Sequence, residues 1–324
     1  MIQLFHTRHL PFQLKDLSTY RSELMGWAII WIMMLHFRFI TIKPLGFIAQ
    51  YGFAGVDIFM FVSGLGIYHS LHRYSSIGLF YLKRAKRIFP TYYLIGIIAS
   101  MVLFHDNILS YLFRYTTIGF WTGGLYFEWY IPSVIILYLS APIINRLLFK
   151  CDLLLWISSL CILIVSFFIA KEQSLSGEKF FFLYRIPAFI GGMYCSKLIE
   201  EGGPSRHFLY LALIGIPFFI LFYPIHHDIY IFKYYSLFFL LPSFLTIICF
   251  ISKFMGCLNV ILQKIGYASL EIYLIQMLFF IPYCNNRLFI SDSWHDCFTV
   301  VLITGCCVMG IILHNLLGRI RFFH

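Results

Sequence analysis

Charge is what this chain has least of. Only 12% of its 324 residues are Asp, Glu, Lys or Arg, about half of what a soluble domain carries. So few charges cannot cover a water-facing surface, so most of this surface must face lipid. Acid is scarcer than base, with 14 Asp and Glu against 24 Lys and Arg. On a soluble chain that excess would point to nucleic acid. On a membrane chain it points to basic loops held on the cytoplasmic side, and no nucleic-acid partner is expected. The nine cysteines form no CxxC pair and keep no regular spacing. Most, such as Cys161, Cys195, Cys249, Cys306 and Cys307, sit in apolar runs. They read as small membrane hydrophobes, which excludes a zinc or disulfide framework, and no metal is expected. Cys284 and Cys297 flank one loop and form the one pair placed to bridge. The first 24 residues are mixed and polar, unlike a cleavable signal peptide. No repeat, linker or long loop interrupts the rest. The chain therefore reads as a single integral-membrane domain over 1–324, with 1–24 as a cytoplasmic N-terminal segment.

What is abundant agrees with this. Aromatics make up 20% of the chain, including 37 Phe and 22 Tyr, which suits lipid-facing and interfacial rings. A spanning helix needs about 20 apolar residues. Ten segments meet that length, at roughly 25–42, 52–72, 88–105, 129–149, 152–170, 179–199, 207–224, 229–251, 266–284 and 297–317. The aromatic, glycine-containing stretch 108–127 reads as an interfacial or re-entrant piece. With the N-terminus placed inside, about two thirds of the 24 Lys and Arg, from Arg8 and Lys15 to Arg319 and Arg321, fall on the cytoplasmic side. The expected fold class is all-α and polytopic, with about ten spans and both termini cytoplasmic.

Polar groups within apolar segments are costly and each asks for a reason. His36 lies in MGWAIIWIMMLHFRFI, eleven residues after Met25. At 1.5 Å per residue that is ~16 Å along the helix, near mid-bilayer. It is either a functional group or a hydrogen-bonding partner for a neighbouring helix. Asp57 opens the second span in GVDIFMFVSG. It suits orientation of a histidine on a neighbouring helix, or capping of its own helix. Gly64 and Gly66 permit close helix approach. Lys83, Arg84, Lys86 and Arg87 precede Pro90 and the third span. They serve topology and anionic lipid, and they also make a phosphate site. Glu128, Trp129 and Tyr130 stand at the entry to the fourth span, where Trp and Tyr anchor. Arg185 and Glu271 are either structural ion-pair partners or substrate contacts.

Taken in order, the helix ending in His36, GVDIFMFVSG, KRAKRIFPTYY, WYIPSVIILYLSAPI, RIPAFIGGMY and IGYASLEIYLIQ resemble the acyltransferase-3 family over residues 21–285. These are bacterial membrane acyltransferases, many of which O-acetylate surface polysaccharides. The resemblance implies a ten-helix core in the bacterial cytoplasmic membrane and acetyl-CoA as donor substrate, with no tightly bound cofactor. The implied acceptor is a hydroxyl of a polysaccharide or lipid-linked glycan. It implies that His36 is the catalytic residue, with Asp57 the acid of the second-helix motif. Lys83, Arg84 and Arg87 are implied to face the CoA phosphates, and Glu128, Trp129, Tyr130 and Arg185 to face substrate. Two positions depart from the family pattern. Met25 stands where Arg is usual, with Arg21 one turn earlier, and Gln276 stands where His is common.

A neutral histidine suits removal of a proton from a hydroxyl, as acyl transfer requires. Two other classes fit the same composition. One is a transporter or flippase whose few charges line a path. The other is an inactive homologue that scaffolds polysaccharide assembly, which Met25 and Gln276 keep open.

Overall fold

The computed structural model describes residues 12–171, 177–222, 230–284 and 292–319, and every regular element among them is a helix. Lipid offers no partner for backbone N–H and C=O groups, so an apolar chain must satisfy them within each segment. A single turn, α1 (Asp16–Thr19), leads into α2 (Arg21–Phe37). The short α3 (Lys43–Ala49) is followed by α4 (Ala54–Arg73) and α5 (Ile77–Ala99), and a π-helical turn over Ser100–Phe104 prolongs α5. Then come α6 (Ile108–Tyr115), α7 (Ile118–Thr122), α8 (Tyr130–Lys150) and α9 (Asp152–Lys171). The second half holds α10 (Gly177–Leu183), α11 (Ile186–Glu200), α12 (Ser205–Phe222), α13 (Tyr230–Phe239), α14 (Leu241–Ser252), α15 (Gly256–Tyr267), α16 (Ser269–Cys284) and α17 (Asp292–Arg319).

Among the described residues, five stretches are long and apolar enough to cross a membrane: Ala54–Arg73, Ile77–Phe104, Tyr130–Leu147, Asp152–Ile169 and Trp294–Arg319. The pair α15 and α16 meets the same test only when joined, and it is bent by 71° at its break, the shape of a broken span or a re-entrant loop. The remaining expected segments are helical where described, but shorter or interrupted. The stretch 229–251 divides into α13 and α14, with Pro242 in the first turn of α14. The stretch 179–199 breaks at Tyr184 and Arg185, just before Pro187 at the start of α11. Proline lacks an N–H and is tolerated in the first turn, so it marks where a new helix starts. Residues 223–229, Arg8 and Arg321 lie outside the described residues.

The inner layer is α2, α4 and α11, and α9 and α17 present mostly exposed apolar faces. Between α4 and α11 the backbones touch. A Cβ at Gly64 would stand 2.0 Å from the carbonyl oxygen of Phe189, and one at Gly192 would stand 1.9 Å from that of Phe61. Only glycine allows this reciprocal approach. The N-terminal segment is not loose where it is described. Phe12, Leu14 and Leu17 are buried, and Asp16 pairs with Lys253 at 2.6 Å. Helix α2 starts at Arg21, four residues before the first expected span at 25. Cys284 and Cys297 are both free, so the bridge suggested by their spacing is not formed.

Candidate active site

A cavity opens where α2, α4, α5, α8 and α16 meet, with about 130 Å³ of room for the centres of water-sized molecules. Its walls are mostly apolar, from Met25, Ile32, Val56, Phe59, Ile88, Val134 and Leu270. Three arginines, Arg21, Arg84 and Arg87, line it beside Ser63, Tyr130, Tyr138 and Tyr273.

The arginines differ in how far they are already engaged. Arg87 grips Glu271 with both ends of its guanidinium and also donates to the carbonyl of Tyr267 at 3.0 Å. Thr91 and His314 reach the same carboxylate, at 3.4 Å each. Glu271 is thus a structural partner, and Arg87 has little left for a ligand. Arg84 donates to the Ser70 hydroxyl and lies near the rings of Phe80 and Tyr138. Arg21 rests over Gly66, which has no side chain to push it aside. The Nε atoms of Arg21 and Arg84 are buried without a partner. Neither arginine has an acidic partner among the described residues. Lys83 is half-buried and does not line the cavity.

The sequence spacing sets His36 near mid-bilayer, in a span expected over 25–42. Helix α2 runs from Arg21 to Phe37, so His36 is its penultimate residue. Fifteen residues separate it from Arg21, a rise of ~22 Å. Arg21, Met25, Ile32 and His36 follow the i, i+4, i+7 pattern of one helix face. The cavity wall of α2 therefore runs on toward His36. On α16 the same holds for Ser269, Tyr273, Gln276 and Phe280. The imidazole stacks on Phe280 with ring centres 4.1 Å apart. It also approaches Gln276, yet no bond of ordinary geometry closes, and His36 Nδ1 and both Gln276 amide atoms stay buried and unpartnered. Unsatisfied buried polar atoms in a native fold ask for an explanation, and an absent ligand is one.

Asp57 does not reach His36. Its Oδ1 accepts from Arg185 Nε at 2.8 Å, and both side chains are 1% exposed. Nor does it cap α4, whose N-cap residue Phe53 has no side-chain bond. Arg185 also donates to the carbonyls of Phe181 and Phe53, and lies near Tyr184 and Trp129. A charge this deep must be paired and hydrogen-bonded; Arg185 pairs with Asp57 through Oδ1, and Oδ2 stays buried without a hydrogen-bond partner. Of the residues expected to meet substrate, Tyr130 lines the cavity, while Arg185 and Trp129 do not. Glu128 is buried. It caps α8, accepting from Tyr130 N at 2.6 Å and Ile131 N at 3.0 Å, and accepts from the Tyr273 hydroxyl at 2.9 Å. It holds a cavity wall and leaves ligand contact to Tyr130 and Tyr273. Tyr273 and His314 went unnoticed in the sequence, although Tyr273 lies two residues from Glu271 inside a quoted motif.

The helical fold, the apolar spans and this arginine-lined cavity describe an all-α protein of membrane character. The chain belongs to the acyltransferase-3 family, described as an acyltransferase domain, whose pattern matches residues 24–317. It is also similar to a protein of Acidianus two-tailed virus whose name provisionally calls it an acetyltransferase, with 29% identity over 200 residues. That match covers 56% of each chain, so the chain spans about half the length of the curated relative it matches. No solved structure shows significant similarity to the chain.

Proposed function

We propose that the protein moves an acetyl or similar short acyl group from acyl-CoA to a hydroxyl of a cell-surface polysaccharide or its precursor. The observation that carries this reading is the alignment of two unlike ends on one helix face. Guanidinium groups with no acidic partner among the described residues, each with a buried unpartnered Nε, stand at one end, and an imidazole with an unpartnered Nδ1 stands at the other, with an apolar passage begun between them. CoA is a long anion with a thin arm. Its phosphates suit Arg21 and Arg84, since charge-assisted bonds from arginine are the strong ones. The arm suits the apolar passage, and the thioester then meets His36.

In this mechanism His36 takes the proton of the acceptor hydroxyl as its oxygen attacks the thioester carbonyl. The C–O bond forms, the C–S bond breaks, and the thiolate leaves and takes up the proton held by the imidazole. Gln276 offers an amide N–H to the carbonyl oxygen as negative charge develops there. Arg21 stands in the cavity that Met25 also lines, and so supplies a cation where Met25 supplies none. This favours an active enzyme over an inert scaffold.

The same reading sets ten crossings with both termini inside, in the bacterial cytoplasmic membrane. The charge sorting of the loops supports it. Deleting the gene and measuring acyl groups on surface glycans by mass spectrometry tests the acceptor, and loss of one ester signal is the expected result. Incubating the purified protein with acyl-CoA and that glycan separates enzyme from transporter. Free CoA released in step with ester formed supports the enzyme, and glycan movement with no CoA release contradicts it.

A further inference from the structure

The turn of α2 that carries His36 is held from the far end of the chain. Helix α2 ends abruptly at Arg38, whose φ of 57° lies in the left-handed region. A non-glycine residue there is strained and persists where its surroundings over-determine it. Here they do. The carboxylate of Asp296, on α17, accepts from three successive backbone N–H groups, Ile40 at 2.7 Å, Thr41 at 3.1 Å and Ile42 at 2.7 Å. The Thr41 hydroxyl donates to it as well. One turn further along α17, the Thr299 hydroxyl lies 3.1 Å from the carbonyl oxygen of Phe37 and 2.9 Å from that of Arg38. Helix ends leave such carbonyls without intrahelical partners. Asp296 is 6% exposed and Thr299 is 1% exposed, so water does not replace these bonds.

The opposite wall of His36 is tied to the same place. His295 is buried beside Asp296, with Nδ1 3.6 Å from its carboxylate and Nε2 2.7 Å from the Tyr283 hydroxyl. Tyr283 sits one turn beyond Phe280, on which His36 stacks. One short segment of α17 therefore grips both the strand of chain leaving His36 and the helix that faces it.

We propose that Asp296 and Thr299 are positioning residues for His36. Their clamp fixes the last turn of α2 and so fixes the imidazole against Phe280 and Gln276. A plain surface cap would not need a buried carboxylate with four donors, because the desolvation of that carboxylate is costly unless it is fully bonded. The proposal rests on the reading of His36 as the reacting base, and α17 lies outside the run of motifs that suggested that reading.

The test uses the full chain in lipid nanodiscs, with Asp296→Asn, Thr299→Val and Thr299→Ser. One readout needs no acyl transfer: the rate at which diethyl pyrocarbonate modifies His36, followed by peptide mass spectrometry. The other is kcat and KM for acyl-CoA. Thr299→Val and Asp296→Asn are expected to raise the modification rate about tenfold, the size of one lost buried hydrogen bond. They are expected to lower kcat up to about a hundredfold with KM little changed, as for a misplaced reacting group. Thr299→Ser restores both. If Asp296→Asn fails to fold, the near-isosteric Thr299→Val decides. Modification rate and kcat both near wild type in Thr299→Val would overturn the clamp. If His36→Ala still transfers acyl groups, the base assignment fails, and the modification rates alone then judge the clamp.

Discussion

Asp57 and Arg185 show how burial chooses a partner. The sequence offers Asp57 a histidine or its own helix end, and the structure gives it a guanidinium from the break between α10 and α11, with both groups 1% exposed. Removing one member of such a pair strands a charge in a dry site and costs about 3–5 kcal/mol, whereas replacing both with apolar groups is often neutral. Arg185→Met alone is expected to lower the thermal transition of the solubilised protein sharply. Adding Asp57→Leu is expected to recover much of that loss. A single Arg185→Met that melts like wild type would show that the pair holds nothing. Sequence alone could not make this choice, because it shows which residues are ionisable but not which helix faces bring them together.

Among the elements, the 106–126 region is the clearest case of a local device. Helix α6 exposes Ile108 and Leu109, at 81% and 77%, and turns Arg114 inward. Arg114 grips Asp106 through Nε at 2.8 Å and Nη2 at 2.9 Å, and donates to the Tyr126 carbonyl at 3.1 Å. Exposed apolar residues on one face and a buried ion pair behind it suit a helix lying along a membrane surface. The hydrogen bonds from Arg114 hold the Asp106 carboxyl below the usual carboxylate range. A depressed carboxylate contributes stability above its unfolded pKa, near 3.9, and loses it as pH falls through its lower folded value. Acidification through that window is therefore expected to loosen this segment, and Asp106→Asn should remove the pH step. Fluorescence of Trp121 during acid titration reads it. An identical step in wild type and Asp106→Asn would refute the assignment.

Helix ends were harder to read than helices. Apolar run lengths located the helical regions, since lipid imposes that signal directly. They run the first span on to residue 42, whereas α2 ends at Phe37, and they hide its start at Arg21. Tyr20 and Arg21 are polar in composition yet belong to the packed interior of this end. Likewise Pro187 and Pro242 begin new helices inside what reads as continuous apolar sequence.

For the whole molecule, the cavity matters more than the number of spans. It draws on five helices from residue 21 to residue 273, so no single motif describes it. The candidate site was legible in parts. His36, Arg84 and Tyr130 were visible because polar groups stand out in apolar sequence. Arg21 was visible but not its seat over Gly66, which depends on how α2 crosses α4. The clamp from α17 was not visible, because its residues gain meaning only against the end of α2.

In the proposed function the arginine-lined cavity holds the donor, and His36, further along the same face of α2, performs the transfer. Steady-state transfer of labelled acetyl from acetyl-CoA, comparing wild type with Arg84→Ala and His36→Ala, tests both halves at once. Arg84→Ala is expected to raise KM for the donor about tenfold or more with kcat nearly kept, as when uniform binding to an anion is lost. His36→Ala is expected to lower kcat by about a hundredfold or more with KM nearly kept. Wild-type transfer rates in His36→Ala, or an unchanged KM in Arg84→Ala, would contradict it.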